Sequence, residues 1–384
     1  VALKGTNQEF GRPYNRRIVL ESIRLHGPVT RGDVAERVGL TVQTVSTIVR
    51  ELEEQGYLLS LREEPKGRGL PPAMLSINPE GGFAIGIHVT PRGIDAALID
   101  LSGDVVGGLH EEAVNASPDD AFAVIGRMVP ELKALRPGGR ILGAGMALPG
   151  PFGVESMSFV GPTTMAGWEG FPLRERLAEL TGLPAFLNTD MVAAALGEHL
   201  YGLGTELSEY YYLFFGVGLG GAMVHEGAVL RGAWGNAGEV GHIPVVLDGE
   251  SCPCGNRGCL ERYVSLDALG RWHGGEADWV AQIAPIFRNA IATIENLFDP
   301  STVVLGGLAP GGLLQRLADL GSELPNSVSA RRDRAVPRLM VARGGEHSVL
   351  RGAAALAVSG VLSPRFGQMF AERIEAPAGR EIAA

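Results

Sequence analysis

Three cysteines lie within eight residues of one another, in Cys252-Pro-Cys254-Gly-Asn-Arg-Gly-Cys259, and His242 stands ten residues before the first. No other cysteine occurs in the 384 residues, which argues against a disulfide framework. Thiolates this close suit a soft divalent cation, and three sulfurs with one imidazole complete the tetrahedral shell of structural zinc. Gly255 and Gly258 allow the sharp turns that bring the sulfurs to one point. Four protein ligands leave no open position, so Zn²⁺ here is expected to shape a loop and not to activate water.

The elements that must position such a loop belong to a long chain. It has room for two or three domains with substantial cores, and 45% hydrophobic against 20% charged residues is an ordinary globular balance. No apolar run approaches the roughly 20 residues that span a bilayer. Residues 1–15 are polar and lack the apolar core of a signal peptide. With cysteines arranged for metal, this predicts a cytoplasmic protein that meets no membrane. The net charge of −10 speaks against bulk nucleic-acid binding, but it is uneven. Residues 1–80 hold 11 Lys/Arg against 10 Asp/Glu, and the remaining 304 hold 22 against 33. A near-neutral head therefore precedes an acidic body.

The head reads as a winged helix. Residues 15–26 carry Ile18, Val19, Ser22, Ile23 and Leu25 at roughly helical spacing, and Gly27-Pro28 ends the run. Thr30 with Asp33 forms a capping-box pattern for a second helix reaching Val38. After Gly39-Leu40, Thr41 caps a third helix that runs to about Gln55; the tight turn between the two makes a helix-turn-helix. Val45, Ile48, Val49 and Leu52 share its buried face, which leaves Thr41, Gln43, Thr44, Ser46 and Thr47 outward near its start. These short polar side chains suit base edges in a major groove, and Arg50 and Arg31 suit phosphates. Residues 57–61 and 73–77 read as strands around a Gly/Pro-rich tip whose Lys66 and Arg68 could enter a minor groove.

The body reads as two related α/β lobes. Residues 81–106 form a strand-turn-strand unit, and residues 210–229 repeat it; each is followed by helical stretches and further strands such as 141–147 and 303–305. Such an internal duplication predicts a cleft between halves, where small ligands bind.

At this point a family resemblance becomes specific. Asn236-Ala-Gly-Glu239-Val-Gly-His242, followed by Cys-x-Cys-Gly-x-x-Gly-Cys-Leu-Glu261, resembles the signature of the ROK family of repressors, open reading frames and sugar kinases. Gly145-Met-Ala-Leu-Pro-Gly-Pro151, Gly167-Trp168-Glu169, Asp190 before Ala193-Ala-Ala-Leu-Gly-Glu198, Gly216-Val-Gly-Leu-Gly-Gly221 and Gly306-Gly307 add to it. With the winged helix in front, essentially the whole chain resembles the repressor branch, whose members respond to xylose, N-acetylglucosamine or glucose. The resemblance implies an actin-like, ribonuclease-H-like duplicated α/β fold with a sugar in the cleft and a zinc-bound loop beside it. The expected organisation is a winged-helix domain over 1–80, a first lobe over 81–192 and a second lobe with the zinc loop over 193–384, its C-terminal helices returning to the first lobe.

Carried over residue by residue, the resemblance places the sugar among Asp190, Glu239, His242 and Glu261, with Thr189 beside them. Asp190 matches the family's catalytic base. His242 would give one ring nitrogen to zinc and offer the other to sugar. The chain also departs from the pattern. Family kinases carry Asp-x-Gly-Gly-Thr in the first hairpin, where this chain has His88-Val-Thr90-Pro91-Arg92-Gly93. The acid and both glycines are gone and Pro91 removes a backbone donor, so ATP-dependent kinase activity is not expected. Thr189 and Val192 replace two amides, which points to a different sugar or polyol, weak binding or none. Leu70 replaces a wing arginine.

The expected protein is a homodimer or dimer of dimers that binds a pseudo-palindromic DNA operator and senses a sugar or polyol without phosphorylating it. The alternatives are a sugar kinase with an accessory N-terminal domain and a ligand-independent DNA-binding protein whose body serves for dimerisation.

Overall fold

The computed structural model describes residues 12–61, 72–150, 165, 167–168, 170–233, 235–331 and 333–362. Its first three helices are α1 (Arg12–His26), α2 (Arg31–Val38) and α3 (Val42–Glu54), followed by the antiparallel pair β1 (Leu58–Leu61) and β2 (Met74–Ile77). Both sides of the capping box are made: the Thr30 hydroxyl accepts from Asp33 N, and the Asp33 carboxylate accepts from Thr30 N. Gly39 closes α2 at φ 66°, a left-handed position that favours glycine, and Thr41 at once caps α3. Val45, Ile48, Val49 and Leu52 are buried, as their spacing requires. Lys66 and Arg68, expected at the wing tip, lie outside the described residues.

The body begins with β3 (Phe83–Val89), β4 (Gly93–Asp100), β5 (Val105–Glu112), α4 (Pro118–Ala134), β6 (Ile141–Leu148), α5 (Leu173–Thr181), β7 (Ala185–Thr189) and α6 (Asp190–Tyr201). It continues with β8 (Tyr210–Phe215), β9 (Leu219–His225), β10 (Ala228–Val229), α7 (Leu266–Gly270), α8 (Glu276–Phe298), β11 (Val303–Gly307), α9 (Gly311–Asp319), β12 (Leu339–Val341) and α10 (Ser348–Leu362). Two five-stranded sheets have the orders β5-β4-β3-β6-β7 and β10-β9-β8-β11-β12. In each, an antiparallel meander of three strands is extended by two parallel strands on the side of its first strand. The same connectivity twice is the duplication expected from the repeated hairpins, and it is an actin-like arrangement.

Helices α6 and α10 lie together at the centre. A Cβ at Gly197 would stand 2.8 Å from the Gly352 Cα, so only glycines allow the two backbones to meet there. At Gly86 and Gly145 of the first sheet a Cβ would overlap the backbone carbonyls of Leu350 and Ala353, which brings α10 down onto β3 and β6. The head does not hang from a free tether. One apolar core runs from Ile18, Ile23, Leu52 and Leu75 into Ala97, Ile99, Leu142, Ala354 and Val358 of the body. Beside it the Arg140 guanidinium donates to the Gln55 carbonyl at 3.0 Å and lies over the Tyr57 ring at 4.9 Å.

Candidate functional site

Two single 3₁₀ turns, Val240–His242 and Leu260–Arg262, hold the cysteine loop at both ends. Between them the chain folds back through the bridges Pro244↔Cys259 and Ser251↔Arg257. Gly255 (φ 92°) and Gly258 (φ 71°) take left-handed conformations, and a Cβ at Gly258 would overlap the Val246 carbonyl. The ligand atoms of His242, Cys252, Cys254 and Cys259 all fall within 4.8 Å of one another. Cys254 Sγ and Cys259 Sγ are 3.7 Å apart, and Cys252 Sγ is 3.7 Å from His242 Nδ1. Ligands about 2.0–2.3 Å from a shared centre stand roughly 3.3–3.8 Å apart in a tetrahedron, so the donor set suits a zinc-sized ion and these two separations match its geometry. Burial pushes the Cys252 and Cys259 thiols up, and a neighbouring Cys254 and Glu261 add to it. A divalent cation would supply the missing positive charge.

The same loop forms one wall of a cleft. Glu239, His242 and Glu261 face Asp190 and Met191 at the start of α6. Phe214, Val217, Gly218 and Gly220 of the β8–β9 hairpin, Thr90 and Pro91 of the first hairpin, and Pro149 and Gly150 after β6 complete it, around roughly 630 Å³ of space counted out to the mouth. His242 Nε2 lies 3.9 Å from Glu239 Oε2, whereas Nδ1 lies toward the sulfurs and 3.5 Å from Glu261 Oε1. The two nitrogens of one ring thus face different partners: Nε2 faces Glu239, and Nδ1 faces the sulfurs and Glu261. Glu261 joins the two more directly, because Cys252 Sγ donates to its Oε1 at 3.2 Å.

Burial raises the Asp190 carboxyl to about 7, against the Met191 N–H that bonds its Oδ1 at 2.8 Å. Burial also raises Glu239 to about 7; Asp190 and Glu261 push it the same way and His242 opposes them. Near neutral pH these two acids can each donate or accept, which matches a ligand bearing several hydroxyl groups. Thr189, expected on the sugar, does not join them. It is 2% exposed, and its hydroxyl accepts from Val192 N at 3.4 Å as the N-cap of α6. The cap uses the side chain that the sequence had offered to a ligand, and Val192 is buried as well.

The first hairpin bonds its own backbone amides. Thr90 Oγ1 accepts from Arg92 N and Gly93 N, both at 3.2 Å, while Thr90 N donates to the Gly93 carbonyl at 2.9 Å. Pro91 has no N–H, so the backbone donors from Thr90 to Gly93 are all bonded within the turn, while Arg92 is exposed. His88 lies in the core, 4% exposed, and burial lowers its imidazole to about 4.

On α3 the outward residues divide. Thr41 Oγ1 accepts from Thr44 N at 3.1 Å and pairs with Thr44 Oγ1 at 2.9 Å, and Thr47 Oγ1 donates to the Gln43 carbonyl at 3.2 Å. Arg31 is paired with Glu53 at 3.4 Å. Gln43 and Arg50 are exposed, and Ser46 is half-buried. Sequence reasoning passed over Val42, which is exposed beside them, and the cleft residues Met191, Phe214 and Pro149, whose apolar types give no functional signal.

A model of the ROK family matches residues 84–288, more than half of the chain. The chain belongs to the ROK family. A winged helix-turn-helix DNA-binding model matches residues 13–58 of this ROK protein. The xylose repressor of Bacillus spizizenii is 28% identical over 265 residues, 68% of this chain and 68% of the relative. A solved ROK family transcriptional regulator, a homolog of the E. coli MLC protein, is 25% identical and superposes with a TM-score of 0.71 over 93% of this chain and 99% of its own. A ROK glucokinase from Streptomyces griseus, solved with glucose and AMPPNP, shares the fold at 24% identity and a TM-score of 0.58, over 73% of this chain and 100% of that one. The regulator thus spans head and body together.

Proposed function

We propose that this ROK protein is a DNA-binding transcriptional repressor whose hold on its operator is set by a sugar or polyol in the acid-lined cleft, without phosphoryl transfer. The observation that carries the reading is a winged helix packed through one continuous core onto a ligand cleft whose first hairpin has no amide to offer a phosphate. The repressor relatives support it. Asp190, Glu239, His242 and Glu261 would hold the ligand hydroxyls; Gln43, Thr44, Ser46, Thr47 and Arg50, with Thr41, Arg31, Lys66 and Arg68 at the flanks, would meet DNA. Two heads of a homodimer would occupy successive major grooves of a pseudo-palindrome. No described helix is long and apolar enough to cross a membrane, in keeping with a cytoplasmic site of action.

His242, Cys252, Cys254 and Cys259 would hold Zn²⁺, which supplies a cross-link that keeps Glu239 and Glu261 on one rigid segment. Helix α6 offers a route between the sites. It begins at Asp190 in the cleft and ends at Tyr201, whose buried phenol feels Arg24 and Glu21 of α1 as well as Arg351 and Asp100, and rises to about 12 through burial. A ligand that moves α6 would act on the head through this electrostatic coupling, provided the two states bind the ligand with different affinity.

The test is a genomic-fragment pull-down with zinc-loaded protein at one near-physiological salt concentration, repeated with a panel of sugars and polyols. Enrichment of an inverted repeat that one compound alters is the expected result. No enrichment, together with ADP release from ATP and any hexose, would replace the reading with that of a kinase.

A further inference from the structure

The recognition helix carries one side chain whose exposure nothing in the fold explains. Val42 is 53% exposed, although Val45, one turn later, is completely buried. At 100° per residue Val42 falls about 20° beyond Val49, on the edge of the stripe of Val45, Ile48, Val49 and Leu52 that faces Ser46, and in the first turn of α3 that edge is left uncovered. Three of the neighbouring hydroxyls are engaged locally: Thr41 caps, Thr44 pairs with Thr41, and Thr47 bonds the Gln43 carbonyl; Ser46 shares the edge with Val42. Charge fixes which end of α3 can approach a duplex. Its last turn carries Glu51, Glu53 and Glu54 and no base, so phosphates repel that end and admit the first two turns.

Resting on the DNA-binding reading above, we infer that Val42 is a specificity-determining residue that packs against the C5-methyl group of a thymine in each operator half-site. The major-groove edge of thymine is distinguished by that methyl, and an exposed β-branched side chain at the first position of the helix is the apolar surface that α3 offers it. Gln43, one position on and pointing about 100° away, is left free to read a neighbouring adenine.

The experiment selects a binding site from a randomised duplex library with the full-length protein. It then replaces each thymidine of that site, one at a time, by deoxyuridine, which deletes the methyl and keeps every hydrogen-bonding edge. One position per half-site is expected to weaken binding about fourfold, the worth of one buried methyl group. Val42→Ala, which removes the contact from both half-sites at once, is expected to lose about fifteenfold on the thymidine duplex and to be indifferent to deoxyuridine at that position. The variant sits on an exposed first turn where alanine favours helix, so folding is not at stake. If no thymine methyl matters to the native protein, or if Val42→Ala stays equally sensitive, the assignment of Val42 is wrong while DNA binding stands. Failure to select any sequence would overturn the DNA-binding reading itself, and this inference with it.

Discussion

The two halves of the body share one strand order and differ where their first hairpins meet the cleft. In the first half, the turn from Thr90 to Gly93 closes on the Thr90 hydroxyl and presents a proline ring. In the second, Gly218 and Gly220 line the cleft with bare backbone beside Phe214 and Val217, and the cysteine loop that follows brings Glu239 and Glu261 to the same space. A duplicated fold can thus give its two halves different surfaces on one cleft: acids and an imidazole from the second, a self-bonded turn from the first. Asp190 stands between them, on the helix that leaves the first sheet and borders the second.

The largest effect should come from the metal. Cys259→Ser, or exhaustive chelation, is expected to remove about 3 kcal/mol or more of stability. The loss should be local: hydrogen exchange should rise across residues 239–263 while β3 and β4 stay protected. Uniform loosening of both halves would erase the contrast. Zinc content, measured by mass spectrometry, should fall from one ion per chain to none.

Asp190→Asn comes next. With the native carboxyl raised to about 7, the folded state binds a proton that the unfolded chain, near 4, has released, so stability falls as pH rises from about 4 to about 7. Asparagine removes that dependence. A shift of this size is worth up to about 4 kcal/mol, but Asp190 opens onto the water of the cleft, so a gain of about 1–2 kcal/mol at pH 8 is expected and none at pH 4. Denaturant unfolding at the two pH values measures it. Sugar or polyol binding, followed by calorimetry, should be lost in the same variant.

The smallest effect concerns the closed turn. Thr90→Gly with Pro91→Gly removes the hydroxyl that holds Arg92 N and Gly93 N, at a cost of about 1 kcal/mol. Binding of a non-hydrolysable ATP analogue should become measurable in the variant and be absent from the native protein. Equal binding by both would show that the first hairpin is not what separates the halves.

Some of this was legible in the chain itself, and some was not. The helix-turn-helix could be read because capping and helical periodicity act over a few residues: Thr30 with Asp33, Thr41, and the Val45–Leu52 stripe all behave as their spacing requires. The His/Cys cluster could be read for the same reason, since three of its four residues lie in one eight-residue loop. The site around the sugar acids was legible only through resemblance. Asp190, Glu239 and Glu261 come from separate segments, and no local pattern says that they converge.

Sequence alone therefore determined the cysteine and histidine donor set, the capped helices of the head, and a first hairpin that turns through Thr90, Pro91 and Arg92. Only the tertiary structure decided how the remaining side chains are used. It made Thr189 a buried helix cap, turned the amides around Thr90 inward, engaged three hydroxyls of α3 and left Val42 in the open. It also fused the core of the head with that of the body. The reason is physical: caps, turns and metal loops are short-range, whereas burial and the direction of a hydrogen bond depend on what packs alongside, and that is set by residues far away in the chain.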